Sequence, residues 1–216
     1  MRLNSFRKPV IKKFLRDFAT IQVGFAFFAC AIAIVIRANI GATSWAVLEV
    51  ALAGMFNITP GTATVMVAAT VLLLALTLRE PIGWGTVANI MSIGPWLDLF
   101  LSLIPEINAN LPLQLLFLAV GVISMSLGSA IYIGVNAGAG PRDSLMMAIA
   151  RTTPLDVRTA RGIIESTAVL IGWMLGGPLG VGTILFAILI GPGVQLAFRL
   201  FNMETYARKN LKQSSP

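Results

Sequence analysis

Ionisable side chains are scarce in this sequence, so those inside its apolar stretches mark where chemistry could occur. Arg158, Arg161 and Glu165 fall in Arg158-Thr159-Ala160-Arg161-Gly162-Ile163-Ile164-Glu165, at the start of a long apolar run. On a helix, residues three or four apart share a face, so Arg161 meets Glu165 and Arg158 stands one turn away. Such a group suits binding of an anion or carriage of a proton. Charges inside a membrane span are costly enough to suggest function, although an Arg–Glu pair also makes a helix easier to insert. Two short apolar segments carry further acids, Glu49 in the first and Asp143 in the second. Asp98 follows the pair Gly94-Pro95, and Gln195 follows Gly191-Pro192 at the same spacing. Proline removes a backbone donor and presses on the preceding turn, so both Gly-Pro pairs predict a kink or break. Asn39 and Asn136 each open a glycine-containing turn, where they serve either as turn formers or as polar groups at the tip of a re-entrant element.

Other chemistries are poorly provided for. The chain has no histidine, the commonest general base and metal ligand, and one cysteine, Cys30, which lies inside an apolar run. No Ser or Cys has an evident base beside it, no Gly-rich Walker loop is present, and no metal-ligand spacing occurs. The expectation is a protein that is not an enzyme and needs no cofactor.

The elements that position these residues follow from composition. Of 216 residues, 56% are hydrophobic and 12% charged, and the mean hydropathy is +0.84. A soluble domain is about a quarter charged. Several long apolar runs exceed what a water-soluble core can bury, so the lipid bilayer is the solvent that fits. The net charge of +7 does not point to nucleic acid, because the basic residues sit in the tails and between apolar runs.

The sequence matches itself at a shift of 97 residues. Asn39-Ile40-Gly41-Ala42 falls on Asn136-Ala137-Gly138-Ala139, Thr62-Ala63 on Thr159-Ala160, and Ile93-Gly94-Pro95 on Ile190-Gly191-Pro192. Pro81, Gly83, Gly85 and Thr86 fall on Pro178, Gly180, Gly182 and Thr183. The chain therefore reads as a single membrane domain of two copies, residues 18–105 and 113–201, between basic tails 1–17 and 202–216. Each copy predicts a long helix (18–38; 113–135), a short one (43–56; 141–153) and two more long ones (60–78 and 83–104; 157–176 and 180–201). The short segments lack the length of a span. With six spans and a cytoplasmic N-terminus, every basic residue except Arg37 lies on the cytoplasmic side. Three spans per copy invert the second relative to the first, an arrangement that recurs in secondary transporters. Asp143 then maps onto Ala46, one helical turn before Glu49, so both short helices can aim an acid inward. The copies differ where it matters: Ala68 stands at the position of Glu165. Gly172 and Gly176 form a GxxxG pair that brings two helices close, within the chain or between chains.

Asn136-Ala137-Gly138-Ala139-Gly140-Pro141-Arg142-Asp143, Glu165, the run Gly172 to Thr183, and Ile190-Gly191-Pro192 resemble the YczE/YyaS/YitT-like family of small bacterial membrane proteins. The resemblance covers most of residues 20–200. It implies a permease-like protein of a bacterial plasma membrane without a defined substrate. In the first copy the similar family segment reads roughly Gly-x-Ser-Pro-Trp-Asp. Here it is Gly41-Ala42-Thr43-Ser44-Trp45-Ala46, lacking the proline and the aspartate, which weakens a role for the first short helix relative to the second.

The expectation is an all-α integral membrane protein, a secondary permease or the substrate-binding membrane subunit of an importer, for an unidentified small solute. Its small size favours a homodimer or a membrane-protein partner. A membrane scaffold or regulator without transport activity is the alternative. A carrier would bind solute among Glu165, Arg161, Arg158, Asp143, Asp98, Gln195, Asn39 and Asn136, between the Gly-Pro breaks.

Overall fold

A computed structural model describes residues 7–107 and 110–201, except for the side chains of residues 7–10 and 158. Arg158 is thus placed only by its backbone, and the tail 202–216 lies outside the described residues. Eight α-helices make up the described fold: α1 (Arg7–Arg37), α2 (Ser44–Phe56), α3 (Pro60–Thr77), α4 (Trp84–Leu103), α5 (Leu111–Gly134), α6 (Pro141–Thr152), α7 (Val157–Met174) and α8 (Val181–Leu200). Among them α1, α3, α4, α5 and α8 are long and apolar enough to cross a bilayer. Helix α7 has the length, but it carries Arg158, Arg161 and Glu165. The chain is an all-α membrane protein.

Local chemistry sets the boundaries. Thr43 and Thr59 accept the amides of Ala46 and Thr62 and so cap α2 and α3, and Pro60 fits the first turn of α3, where no donor is needed. Asn39 (φ 55°) and Asn136 (φ 58°) end the first helix of each copy in the left-handed conformation, which asparagine tolerates. Helix α1 already begins at Arg7, so residues 7–17 of the basic N-terminal stretch are helical. Phe14 and Phe18 pack against Trp84 at the start of α4 (centroids 5.0 and 6.5 Å apart), which ties this segment to the bundle.

Neither Gly-Pro pair interrupts its helix: α4 runs through Pro95 and α8 through Pro192. Each proline ring points to the exposed side, so it loses its own donor without displacing a packed neighbour.

The halves meet through reciprocal contacts. Helices α1 and α5 cross where Gly24 lies against Gly128 and Tyr132, and where Gly121 lies against Ala31 and Val35. With the shift of 97, these are the same contact made in both directions. The Gly85 N–H donates to the Ala137 carbonyl (2.8 Å), and the Gly182 N–H to the Ile40 carbonyl (2.7 Å). Gly172 packs on Leu48 of α2, which makes one end of the GxxxG pair an intramolecular contact. Gly176, at φ +88°, faces open space beyond the end of α7.

Candidate functional site

The short helices α2 and α6 start inside the bundle, each after a glycine turn held by the other half. The Ala42 N–H donates to Thr183 Oγ1 (3.1 Å), and Thr86 Oγ1 donates to the Ala139 carbonyl. These anchors set the first turns of α2 and α6 against one cavity, to which all eight helices contribute. Its empty space, open mouth included, is about 1050 Å³.

Much of the wall is apolar, with Phe28, Ile93, Met125, Phe186, Ile190 and Val194 among its residues. The polar part is concentrated at the α2, α6 and α7 side. Arg142 forms an ion pair with Glu49, whose side chain is only 1% exposed, and Thr64 Oγ1 donates to the other Glu49 oxygen (2.9 Å). The Arg142 guanidinium also lies over the Trp45 ring. Arg161 Nε donates to Glu165 Oε1 (2.8 Å), and Ser44 Oγ reaches Glu165 Oε2 at 3.5 Å. The Tyr132 hydroxyl donates to Asp143 Oδ2 (3.3 Å), and its ring packs against Phe25 and Phe28. Trp45, Arg142, Asp143, Arg161 and Glu165 also border a second, smaller recess. The charged cluster therefore stands between two spaces.

Of the residues singled out from the sequence, Asp143, Arg161 and Glu165 come together at this cavity. Asp98 does not line it. Its carboxylate accepts Thr59 Oγ1 (2.6 Å) and the Gly61 N–H (2.7 Å), capping the first turn of α3. Gly94 packs against Gly61, while Gly191, Pro192 and Gln195 are exposed on α8. Asn39 and Asn136 are exposed turn residues. The backbone of Arg158 lies in the first turn of α7.

Sequence reasoning passed over Arg142 as the partner of Glu49, and also Trp45, Tyr132, Thr64 and Asn89. The shift of 97 offered one signal, since it pairs Trp45 with Arg142.

Residues 15–199 match the family of unknown function DUF6198. An uncharacterised protein of Haemophilus influenzae is 32% identical over 162 residues, 75% of this chain and 74% of the relative. The uncharacterised membrane protein YczE of Bacillus subtilis is 33% identical over 155 residues, 70% of this chain and 71% of its own. The uncharacterised Bacillus subtilis protein YyaS is 26% identical over 174 residues, 78% of this chain and 86% of its own. No solved structure matches with significance. The chain belongs to the DUF6198 family and is similar to the membrane protein YczE and to YyaS.

Proposed function

We propose that this protein is a small solute carrier, a secondary permease or the substrate-binding membrane subunit of an importer, rather than an enzyme. The observation that carries this reading is the cavity between the halves, bordered by Arg142, Asp143, Arg161 and Glu165 within an otherwise apolar bundle. In this reading α7 is a sixth span with its charges turned inward. Helices α2 and α6, with 13 and 12 residues, are about 20 Å long and do not cross a hydrocarbon core of about 30 Å. The reciprocal contacts of α1 with α5, and of each glycine turn with the opposite half, support a two-fold relation. With three spans per copy, that axis lies in the membrane plane.

Charge placement supports cytoplasmic termini in a bacterial plasma membrane. Arg37, the exception to the positive-inside pattern, pairs with Glu106 (3.0 Å). Arg151 pairs with Glu80 (3.2 Å), joining the end of α6 to the α3–α4 loop on the side assigned to the cytoplasm. With Asp98 engaged as a helix cap, Glu165 and Asp143 are the acids that could couple solute to an ion or proton.

The test is alternating access. Ser129 borders the cavity and is buried, so Ser129→Cys in a Cys30→Ser background places one reporter thiol there. In oriented proteoliposomes, a membrane-impermeant thiol reagent should label it from either face. Labelling from one face only would sink the carrier and favour a scaffold or regulator.

A further inference from the structure

The two halves are closed differently along their last two helices, α3 with α4 and α7 with α8. In the first, α3 lies along α4 because Gly61 and Gly94 allow backbone contact. A Cβ on Gly61 would collide with the Gly94 carbonyl, and one on Gly94 would stand 2.5 Å from the Gly61 carbonyl oxygen. The shift of 97 replaces this glycine pair with Arg158 and Gly191. A Cβ on Gly191 would meet nothing within 4 Å, and among the described residues α7 and α8 lack the packing of α3 on α4. The cavity reaches this opening, with Arg161 and Glu165 of α7 on one side and Ile190 and Val194 of α8 on the other. Consistent with that, the Arg161 and Glu165 side chains are 53% and 27% exposed. The outward faces of both helices are apolar, with Ile163 and Leu170 exposed on α7 and Ile184 and Ile188 on α8, so in a bilayer the gap lies between two lipid-facing helices.

Among the described side chains, the charge around the cavity is unbalanced: its border, together with Glu49 behind it, holds two guanidiniums and three carboxylates, namely Arg142, Arg161, Glu49, Asp143 and Glu165. Each arginine forms its ion pair with a glutamate, Arg142 with Glu49 and Arg161 with Glu165, and both also stand near enough to act on Asp143 electrostatically. Asp143 accepts from the neutral Tyr132 hydroxyl and, among the described residues, forms no ion pair within 4 Å. The first-turn amides of α6 offset less than a full charge. Aromatic rings of Phe28, Trp45, Tyr132 and Phe186 stand in the same wall, and ring faces favour cations.

We propose that the cavity takes an amphipathic organic cation, an ammonium or related onium group on an apolar body, which enters from the bilayer between α7 and α8. The cationic group sits at Asp143, and the apolar body lies along Phe186, Ile190 and Val194. This deepens the carrier reading and rests on it.

The test uses tetraphenylphosphonium, its anionic counterpart tetraphenylborate, and tetramethylammonium, a cation without the apolar body. Saturable binding to protein in nanodiscs is measured above that to empty nanodiscs. Tetraphenylphosphonium should bind and the other two should not. Asp143→Asn should weaken binding on the order of tenfold or more, the usual effect of deleting one partner of a desolvated charge pair, and Asp143→Glu should restore it. Gly191→Phe should slow association while leaving equilibrium affinity unchanged, because it fills the gap and not the site. Equal or better binding of tetraphenylborate would overturn the charge assignment without any variant having to fold. Binding of tetramethylammonium equal to that of tetraphenylphosphonium would overturn the amphipathic ligand, and unchanged association in Gly191→Phe would overturn the route. If the reporter thiol at position 129 is labelled from both faces yet no probe binds, the ligand class is wrong and the carrier stands. If labelling is one-sided and nothing binds, both fall.

Discussion

The Arg142 guanidinium carbon lies 4.8 Å from the centroid of the Trp45 ring, and these two residues occupy the same position in the two copies. Under the proposed two-fold relation, equivalent residues touch only near its axis. Ser124 and Phe27, another equivalent pair, also meet there, through a hydrogen bond from the serine hydroxyl to the Phe27 carbonyl (3.0 Å). The Trp45–Arg142 contact sits on the cavity wall, so two equivalent positions that meet there carry unlike side chains. An aromatic ring and a cation replace what would otherwise be two like residues, and the cation then reaches Glu49.

That ion pair should dominate local stability. Glu49 is sealed by α2, α3 and α6, so Arg142→Ala leaves a buried carboxylate with only Thr64 as a side-chain donor. Breaking a buried pair in this way costs about 3–5 kcal/mol. The double variant Glu49→Gln/Arg142→Gln should recover a large part of that loss, since neither residue is then an unpaired charge. Unfolding of each variant in mixed micelles measures the difference; equal stability of the single and double variants would refute the coupling.

Asp98 should behave as a cap and not as part of the binding site. Its carboxylate holds Thr59 Oγ1 and the Gly61 amide at the N-terminus of α3. Asp98→Ala should therefore cost about 1–2 kcal/mol, with Asp98→Asn milder because its amide oxygen still accepts. Neither should change labelling of a thiol at position 129. Loss of that labelling in a folded Asp98→Asn protein would return Asp98 to the carrier machinery.

These assignments show where sequence reading reaches its limit. The ends of the first helix of each copy were legible because the paired Asn-x-Gly turns at Asn39 and Asn136 act within a few residues of where they stand. The Arg161–Glu165 pair was legible for the same reason, being one helical turn. The partners of Asp98 and of Glu49 come from other helices, 37 and 93 positions away, and no local period encodes such contacts. The aspartate after Gly94-Pro95 thus looks the same in sequence whether it binds solute or caps a neighbouring helix. Likewise, the exchange of Gly61 for Arg158 is visible at the shift of 97. Its consequence depends on Gly94 lying opposite, which only the packing reveals.

The glycine turns give a matched pair of predictions. Gly41 (φ +125°) and Gly138 (φ +128°) adopt a backbone that side chains strongly disfavour. A Cβ at Gly41 would stand 2.5 Å from Thr183 Oγ1, and one at Gly138 would stand 2.8 Å from Gly83 Cα and Thr86 Oγ1. Gly41→Ala and Gly138→Ala should each cost about 1–3 kcal/mol from backbone strain alone, with the contact adding to it. Comparable losses in a micellar unfolding titration are expected, because the two turns make reciprocal contacts. A tolerated substitution at either one would break the reciprocity.

Gly61 and Gly191 should part company under the same substitution, although both lie on the last two long helices of their copies, Gly61 on α3 and Gly191 on α8. At Gly61, alanine forces α3 away from the Gly94 carbonyl and from the Asp98 carboxylate, an overpacking that costs about 1–3 kcal/mol. At Gly191 the added methyl meets open space on an exposed helical position. There the better helix propensity of alanine should leave stability unchanged or raise it by up to about 1 kcal/mol. Gly94→Ala should resemble Gly61→Ala, because its methyl would press on the Gly61 carbonyl and the Val65 side chain. Thermal unfolding of the three variants in one detergent decides the matter. If Gly191→Ala were as damaging as Gly61→Ala, α7 and α8 would have to be closed against each other, and the asymmetry between the halves would vanish along with the opening it creates.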